Sequence, residues 1–460
     1  MRKMKQGKVR IKKITIKNFK NVRNGYITFT NHNQETQASV LGLYGQNGSG
    51  KSALINALML LKLVLCGKKI PADYVHDINV EAESASFIFD LLVDGPKEER
   101  SYDVTYECKL KKEFAYSGNN ENMTDDEGDY KAVICDEVLS YRINESKQVI
   151  ELINTSKKEV FTDKKIYQEL IDDDPDRMMD LLVAKRSTYQ DSRSLVFSGE
   201  LLDVIHKNTH QTGDLSLLDR LVTYGHDELF VINGGSTFNA LHLDLGTLGH
   251  ITLPFDEPYT LSKDMLEKTE KKISYMNIVL KEIIPHFNIS LYNLGLQLLV
   301  SGEEGFRVQL MSKRDRLVIP LKDESDSIKK IVSIVGLLIE IYDNPCVTVV
   351  IDDLDLHIFE YLLGELLKII SEEGKGQLIF TSHNLRPLET LDHDCIVFTS
   401  TDPFNRYVRL DDIKESDNLR DCYYHTILLG DQNVELYAPT NNEKISFALR
   451  KARKMQEVML

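Results

Sequence analysis

Early in the chain stands Gly45-Gln46-Asn47-Gly48-Ser49-Gly50-Lys51-Ser52, and this octapeptide determines how the rest of the sequence is interpreted. It fits the pattern G-x-x-x-x-G-K-[ST], in which glycines let successive backbone N–H groups point at phosphate oxygens. The strand-like run Ser39–Tyr44 precedes it, and the apolar helical run Ala53–Leu61 follows it. The sequence therefore predicts an ATP-binding P-loop at a helix N-terminus. Lys51 is predicted to reach the β- and γ-phosphates, and the Ser52 hydroxyl to bind Mg²⁺.

A second motif ends an apolar run in the last third of the chain. Val349-Val350-Ile351 is followed directly by Asp352 and Asp353, which is how a Walker B strand reads. Asp352 is predicted to hold Mg²⁺ through its water shell. Asp353 stands where a general base would face the attacking water. The alternative is that two acids only cap a buried strand, and the upstream P-loop disfavours it.

A third polar cluster follows another apolar strand, in Ile379-Phe380-Thr381-Ser382-His383-Asn384. The carboxyl ends of parallel strands meet at the ligand crevice of such sheets. We therefore predict that His383 contacts the γ-phosphate. The alternative is a histidine with a structural role only.

Strand and helix signals alternate in both outer parts of the chain, which predicts an α/β fold with a layered, mostly parallel sheet. Residues 1–114 and 286–410 are predicted to form the two parts of the nucleotide-binding head. Residues 115–285 are predicted to be an inserted α+β and helical region, and residues 411–460 a C-terminal tail. The polar stretch Ser117–Asp129 is predicted to be a surface loop.

The elements themselves follow from hydrophobic periodicity and from turn residues. Besides Ser39–Tyr44, the predicted strands are Val9–Lys17, Gly25–Phe29, Ala85–Val93, Tyr102–Leu110, Glu137–Asn144, Gln148–Ile153, Ile289–Val300, Phe306–Met311, Leu317–Leu321, Val347–Ile351, Gln377–Thr381, Cys395–Thr399 and Tyr407–Leu410. Besides Ala53–Leu61, the predicted helices are several short ones over residues 163–224, and Ser262–Ile284, Ser325–Ile341 and Phe359–Ile370.

Length, composition and cysteine pattern indicate the size, compartment and membrane relation expected for the protein. The chain has 460 residues, 42% of them hydrophobic, which is enough for two or three structural units. None of its six cysteines lies in a CxxC pair, as expected in a reducing compartment. We find no signal-peptide pattern and no apolar run long enough to span a membrane. A cytoplasmic protein without membrane contact is therefore expected.

The net charge of −15 opposes nucleic-acid binding over most of the surface. The exception is the segment Met1–Arg23, which is rich in Lys and Arg and contains no acid. We interpret it first as an exposed edge strand protected by lysines. A contact surface for nucleic acid or for an acidic partner is the alternative.

Together, the three motifs resemble those of the ATP-binding cassette (ABC) superfamily, and in particular the branch of the SMC, RecF and OLD-type ATPases. The segment Ile14–Lys20 is similar to the opening strand and turn of that branch. Glu324-Ser325-Asp326-Ser327-Ile328-Lys329-Lys330 is similar to its signature segment. The resemblance covers about residues 9–95 and 290–400. It implies an ABC-type head in which two ATP molecules are enclosed by two subunits, with Ser325 of one subunit facing the ATP of the other.

Two positions depart from the family pattern. Asp353 stands where the family usually has Glu, and its shorter side chain predicts slow hydrolysis. Ser327 stands where the signature segment usually has Gly, which makes a close backbone approach to phosphate harder. Ser325 keeps the hydroxyl of the signature.

Within this branch, a compact chain with a mixed insertion and no long coiled coil resembles the ATPase components of bacterial phage-defence systems of the PARIS, Septu and OLD-like types. The runs Gly376–Pro387 and Ile358–Leu367 carry this resemblance. This resemblance implies an ATP- and Mg²⁺-dependent ATPase that forms a homodimer or a higher homo-oligomer and regulates a separate effector, such as a nuclease. The alternatives are a RecF-like DNA-repair ATPase acting directly on DNA, and a non-hydrolysing scaffold joined by ATP. A transporter ATPase fits the opening turn and the inserted middle less well.

Overall fold

A computed structural model of the chain describes residues 7–29, 39–95, 100–114, 130–144, 146–171, 175–208, 215–234, 236–299, 302–410, 418–429, 435–438 and 440–458. The predicted surface loop Ser117–Asp129 lies outside these residues. The described residues form a mixed α/β structure, which confirms the predicted fold class. They build two large sheets, a smaller sheet with its own helices, and a C-terminal helical part.

The first large sheet is antiparallel throughout, with the strand order β2-β1-β4-β5-β6-β7. Its strands are β1 (Val9–Phe19), β2 (Val22–Thr28), β4 (Ser84–Asp94), β5 (Ser101–Phe114), β6 (Tyr130–Ile143) and β7 (Ile150–Asn154). The strand β1 pairs on both sides, so the interpretation of the N-terminal segment as a lysine-protected edge was wrong. Some lysines of this segment have partners within the sheet: Lys12 Nζ lies 2.5 Å from Oδ1 of Asp103 in β5.

The second large sheet carries the predicted motifs, in the strand order β18-β17-β3-β16-β15-β8. Its strands are β3 (Ser39–Tyr44), β8 (Leu229–Ile232), β15 (Thr348–Ile351), β16 (Gln377–Thr381), β17 (Ile396–Thr399) and β18 (Tyr407–Val408). All neighbours are parallel except β17 and β18. Every residue of β15 and β16 is buried, as expected for central strands covered on both faces.

Helices cover both faces of this second sheet. Helix α1 (Lys51–Leu65) packs between the two large sheets, because its apolar residues share one core with β1 and with Leu41 and Leu43 of β3. The opposite face of β3 shares a second core with α8 (Asp326–Asp343) and α9 (Glu360–Glu373). The layered arrangement follows from these two cores.

Residues that we expected to lie in the insertion contribute strands to both large sheets. Strands β6 and β7 extend the antiparallel sheet, and β8 pairs in parallel with β15 beside the Walker B motif. The predicted boundaries 115 and 285 therefore do not separate the head from its middle region. Four short helices lie between β7 and β8, as predicted: α3 (Lys164–Ile171), α4 (Pro175–Gln190), α5 (Gly199–Asn208) and α6 (Ser216–Thr223).

The smaller sheet has the order β11-β13-β12, with β14 also paired to β13, and a separate hairpin joins β9 to β10. These strands are β9 (Ala240–Asp244), β10 (His250–Pro254), β11 (Tyr259–Leu261), β12 (Phe287–Leu298), β13 (Glu304–Arg314) and β14 (Leu317–Pro320). They share a third core with α7 (Lys263–Ile283) and α8. The predicted long helix is confirmed, and the Ser262 hydroxyl caps it by accepting from Met265 N–H.

The remaining helices are short or lie at the surface. They are α2 (Tyr74–Asp77), α10 (Pro387–Thr390), α11 (Leu419–Leu429) and α12 (Asn442–Val458). Among the described helices, none combines the length and the apolar character that crossing a bilayer would require.

Candidate nucleotide-binding site

The predicted P-loop lies between the carboxyl end of β3 and the first turn of α1. Gly50 has φ 104°, a left-handed conformation that favours glycine, and a Cβ on it would lie 2.9 Å from Arg406 Cγ. A Cβ on Gly45 would lie only 1.8 Å from Thr399 Oγ1. Both positions therefore require glycine for reasons of backbone shape and of space. The tip of the loop, Asn47 and Gly48, is exposed.

Lys51 folds back over the loop that it follows. Its Nζ donates to the carbonyl oxygens of Gly45, at 2.8 Å, and of Gln46, at 3.1 Å. Burial lowers the pKa of Lys51, while Asp353 and Asp352 act in the opposite direction. The amine thus sits at the loop and within electrostatic reach of the Walker B acids. Ser52, one residue on, exposes its side chain in the first turn of the helix.

Side chains from other parts of the chain hold the P-loop in shape. The Tyr407 hydroxyl donates to the Gly50 carbonyl at 2.9 Å. The hydroxyls of Ser49 and Thr399 bond to each other, and the Asn21 amide donates to the Gly48 carbonyl. These contacts were missed at the sequence level, because nothing in the octapeptide indicates which distant strands will flank it.

The Walker B acids follow β15 and are held by a hydroxyl of the neighbouring strand. Thr381 Oγ1 donates to Asp352 Oδ1 at 2.6 Å and accepts from the Asp353 N–H at 2.8 Å. Asp353 has φ 47°, an uncommon value for a residue other than glycine. Burial and the charge of Asp352 raise the pKa of Asp353, and His383 opposes that shift.

His383 lies at the end of β16, on the same edge of the sheet. Its side chain is exposed, and its backbone N–H donates to the Asp355 carboxylate at 3.2 Å. The Asn384 N–H donates to the same carboxylate at 3.1 Å. Asp355 therefore ties the segment after Walker B to the His383 loop. No role was predicted for Asp355 from the sequence.

The turn after β8 borders the same acids, although it comes from the middle of the chain. A Cβ on Gly234 would lie 3.5 Å from Asp353 Oδ2 and 3.7 Å from Asp352 Oδ2. The Asp352 N–H donates to the Ile232 carbonyl at 2.9 Å. A four-residue apolar strand gives too weak a sequence signal to reveal such a position.

The C-terminal tail also reaches the P-loop. The Ala438 N–H donates to Gln46 Oε1 at 3.0 Å, and the Ala438 carbonyl accepts from Gln46 Nε2 at 3.5 Å. Beside this contact, the Thr401 N–H donates to the Glu435 carbonyl at 2.8 Å. Gln46 is thereby fixed at the edge of the loop by a segment for which the sequence predicted no role.

Ser325 belongs to a different element from these groups, because it precedes helix α8 and does not follow a strand of the parallel sheet. It precedes the first residue of α8, its side chain is exposed, and its carbonyl accepts from the Lys329 N–H at 3.0 Å. Lys329 also pairs with Asp326 at 2.9 Å. An exposed hydroxyl at a helix start is accessible to a second molecule.

In the first part of the chain, residues 13–220 match the AAA domain family. No curated protein is similar enough to the chain to count as a match.

Several solved structures are similar to the chain at low identity. One is the Smc head domain with an extended coiled coil, bound to the C-terminal domain of ScpA, from Pyrococcus furiosus: 13% identity, a TM-score of 0.41, and coverage of 87% of this chain and 96% of that one. Another is the recombination mediator protein RecF with ATP, at 13% identity, a TM-score of 0.39 and coverage of 88% and 100%. A third is the SMC head domain from Thermotoga maritima, at 16% identity, a TM-score of 0.33 and coverage of 87% and 99%.

Proposed function

We propose that the chain binds ATP and Mg²⁺ at the edge of the parallel sheet and hydrolyses the nucleotide slowly. One observation carries the proposal: the P-loop, the Walker B acids and His383 end three adjacent strands, β3, β15 and β16, at the same edge. The backbone N–H groups of residues 45–52 would bind the phosphates, and Lys51 would release its carbonyl partners to reach them.

The oxygen atoms available at this edge fit Mg²⁺. The ion prefers carboxylate, hydroxyl and water oxygens, and Asp352 and Ser52 offer a carboxylate and an exposed hydroxyl. When bound, Mg²⁺ would neutralise charge that develops on the phosphates. Asp353 would accept a proton from the attacking water, and His383 would face the γ-phosphate.

Completion of the site would need a second copy of the chain. Ser325 is exposed at the start of α8, so it is free to meet the ATP that another copy holds. Two copies would close around two nucleotides, so that dimerisation would depend on the γ-phosphate. We propose this dimer as a switch that controls a separate cytoplasmic effector, such as a nuclease, in bacterial defence against phage.

The DNA-repair alternative has less support. It requires free lysines along the N-terminal segment, but Lys12 pairs with Asp103 and Lys20 with Asp77. Lys13 lies 5.1 Å from the centroid of the Tyr26 ring. Partly neutralised lysines on an acidic chain form a poor track for a phosphate backbone.

The test is ATP turnover by the purified protein with Mg²⁺, beside Lys51→Ala and Asp353→Glu. We expect slow turnover in the wild type, none in Lys51→Ala, and faster turnover in Asp353→Glu because the longer side chain brings its carboxylate closer to the water. ATP binding without turnover, restored by Asp353→Glu, would favour the scaffold instead. Equal turnover in the wild type and Lys51→Ala would contradict the proposal.

The defence role has a separate test. Phage plating on cells that carry the natural locus should be restricted by the wild type and unrestricted with Lys51→Ala. Protection that persists with the Lys51→Ala variant would separate the defence role from ATP binding.

A further inference from the structure

A lysine that the proposed ATPase does not use lies buried behind the Walker B loop. Lys330 belongs to α8, the helix that begins beside Ser325, and only 1% of its surface is exposed. Lysines are almost never fully buried unless they have partners, because an ammonium loses strong hydration. The position therefore needs a physical reason.

The amine of Lys330 contacts the residue next to the proposed metal ligand. Its Nζ donates to the backbone carbonyl of Asp353 at 3.1 Å. It also lies 2.9 Å from the centroid of the Phe238 ring, which comes from the middle of the chain. Burial lowers the pKa of Lys330 to about 7, and the carboxylates of Asp355, Asp353 and Asp352 oppose the shift.

Both backbone polar groups of Asp353 thus contact side chains. Its N–H donates to Thr381 Oγ1, and its carbonyl accepts from Lys330 and also from the Leu356 N–H at 3.1 Å. The residue has φ 47°, a strained conformation for a residue with a side chain. Such a conformation persists only when its surroundings fix it. Among these contacts, Lys330 is the one that comes from α8, the helix that follows Ser325.

We propose that Lys330 is a positioning residue that links the signature helix to the general base. In the closed dimer, contact between Ser325 and the ATP of the second copy would set the position of α8. Through its hydrogen bond, Lys330 would make the position of the Asp353 backbone depend on the position of α8. ATP bound to one copy would thereby orient Asp353, the proposed general base, in the other copy. The inference rests on the proposed function, since it requires both the dimer and turnover.

A purely structural role for this lysine predicts a different response to mutation. If Lys330 only filled space, a methionine of similar length would serve as well or better, because it carries no charge to desolvate. If it positions Asp353, the same change should leave ATP binding intact and impair the chemical step, as small displacements of reacting groups do.

The experiment compares the wild type, Lys330→Met, Lys330→Arg and the control Lys272→Met over a range of ATP concentrations. Lys272 contacts α8 elsewhere, through Glu340 at 2.7 Å, and is half-buried. We expect Lys330→Met to lower kcat by about tenfold to a hundredfold. Its Hill coefficient should fall from above one to about one, while the Kd for ATP changes less than about twofold. Lys330→Arg should recover part of both properties, and Lys272→Met should match the wild type.

Two results would overturn the inference. One is a folded Lys330→Met protein with the kcat and Hill coefficient of the wild type. The other is a wild type that turns over ATP with a Hill coefficient of one. If Lys330→Met does not fold, Lys330→Arg decides, because a fully functional bulkier cation would show that the exact contact is dispensable. A wild type without turnover would instead contradict the proposed function.

Discussion

The hydroxyl of Thr381 holds two consecutive acids at once. It donates to the Asp352 carboxylate and accepts from the Asp353 backbone, and the side chain is fully buried. An oxygen that both donates and accepts cannot be replaced by any apolar group of the same shape. The geometry of the Walker B acids therefore depends on a residue of the neighbouring strand.

We expect Thr381→Val to lower kcat by about tenfold or more, because both acids lose a fixed partner. Steady-state kinetics at several Mg²⁺ concentrations measure the effect. The matched control is Thr348→Val, the same change at a buried threonine of β15 that bonds to Tyr224 and Gln377. The control should lose about 1 kcal/mol of unfolding free energy but keep its turnover. Equal kinetic losses in both variants would contradict this role of Thr381.

At the level of elements, a buried carboxylate fastens the segment between α4 and α5 to the antiparallel sheet. Glu137 of β6 accepts from the Tyr106 hydroxyl and from the Leu195 N–H, both at 2.8 Å, and from the Ser194 hydroxyl. Burial raises the pKa of Glu137, and these donors oppose the shift. Apolar packing alone would allow the segment to slide, whereas three convergent donors fix its register.

Removal of this carboxylate should destabilise the protein. Glu137→Ala leaves three buried donors without their acceptor, and we expect a loss of about 3 kcal/mol in the free energy of unfolding. Urea denaturation measures it. Glu107→Ala is the control, since Glu107 is exposed on the neighbouring strand β5, and a change within about 0.5 kcal/mol is expected there. A loss as small as that of the control would show that the network is not needed for stability.

The elements that the sequence predicted well are those with strong local signals. Strand β15 is an unbroken apolar run, and α7 has a capping serine before it and Pro285 after it, so both were found. Strand β8 was missed because Leu229–Ile232 is too short for periodicity to distinguish. The placement of β1 inside its sheet depends on pairing with β4, which lies more than sixty residues away in sequence.

The residues of the candidate site also fall into two groups: those with a local sequence signal and those without one. Each motif residue follows its own strand, so the P-loop, Asp352, Asp353 and His383 could be predicted as site residues from local pattern. Lys330 was not recognised as a contact of Asp353, because the contact joins a helix to a loop across the core. Local sequence predicts the groups that we propose to face the ligand, whereas the residues that support them are brought near only by the fold.

At the scale of the whole molecule, the proposed dimer has a direct test in Ser325→Arg. The large charged side chain should block contact with a second copy while leaving the P-loop of its own chain intact. We expect ATP to bind with unchanged Kd, but ATP-dependent dimers to be absent in sedimentation, with turnover reduced about tenfold or more. Ser274→Arg, the same change at an exposed position of α7, should dimerise normally. Dimers of Ser325→Arg that form with ATP would show that this surface is not part of the interface.

The strand order of the parallel sheet has a consequence for synthesis on the ribosome. Strand β3 ends at Tyr44, but its two neighbours, β16 and β17, begin only at Gln377 and Ile396. The P-loop is therefore translated more than three hundred residues before the strands on either side of it. Pairing across such a separation closes late, because chain entropy opposes it. A nascent chain would thus acquire the proposed nucleotide pocket only after these strands have been translated, and termination before Gln377 should yield products that do not retain ATP.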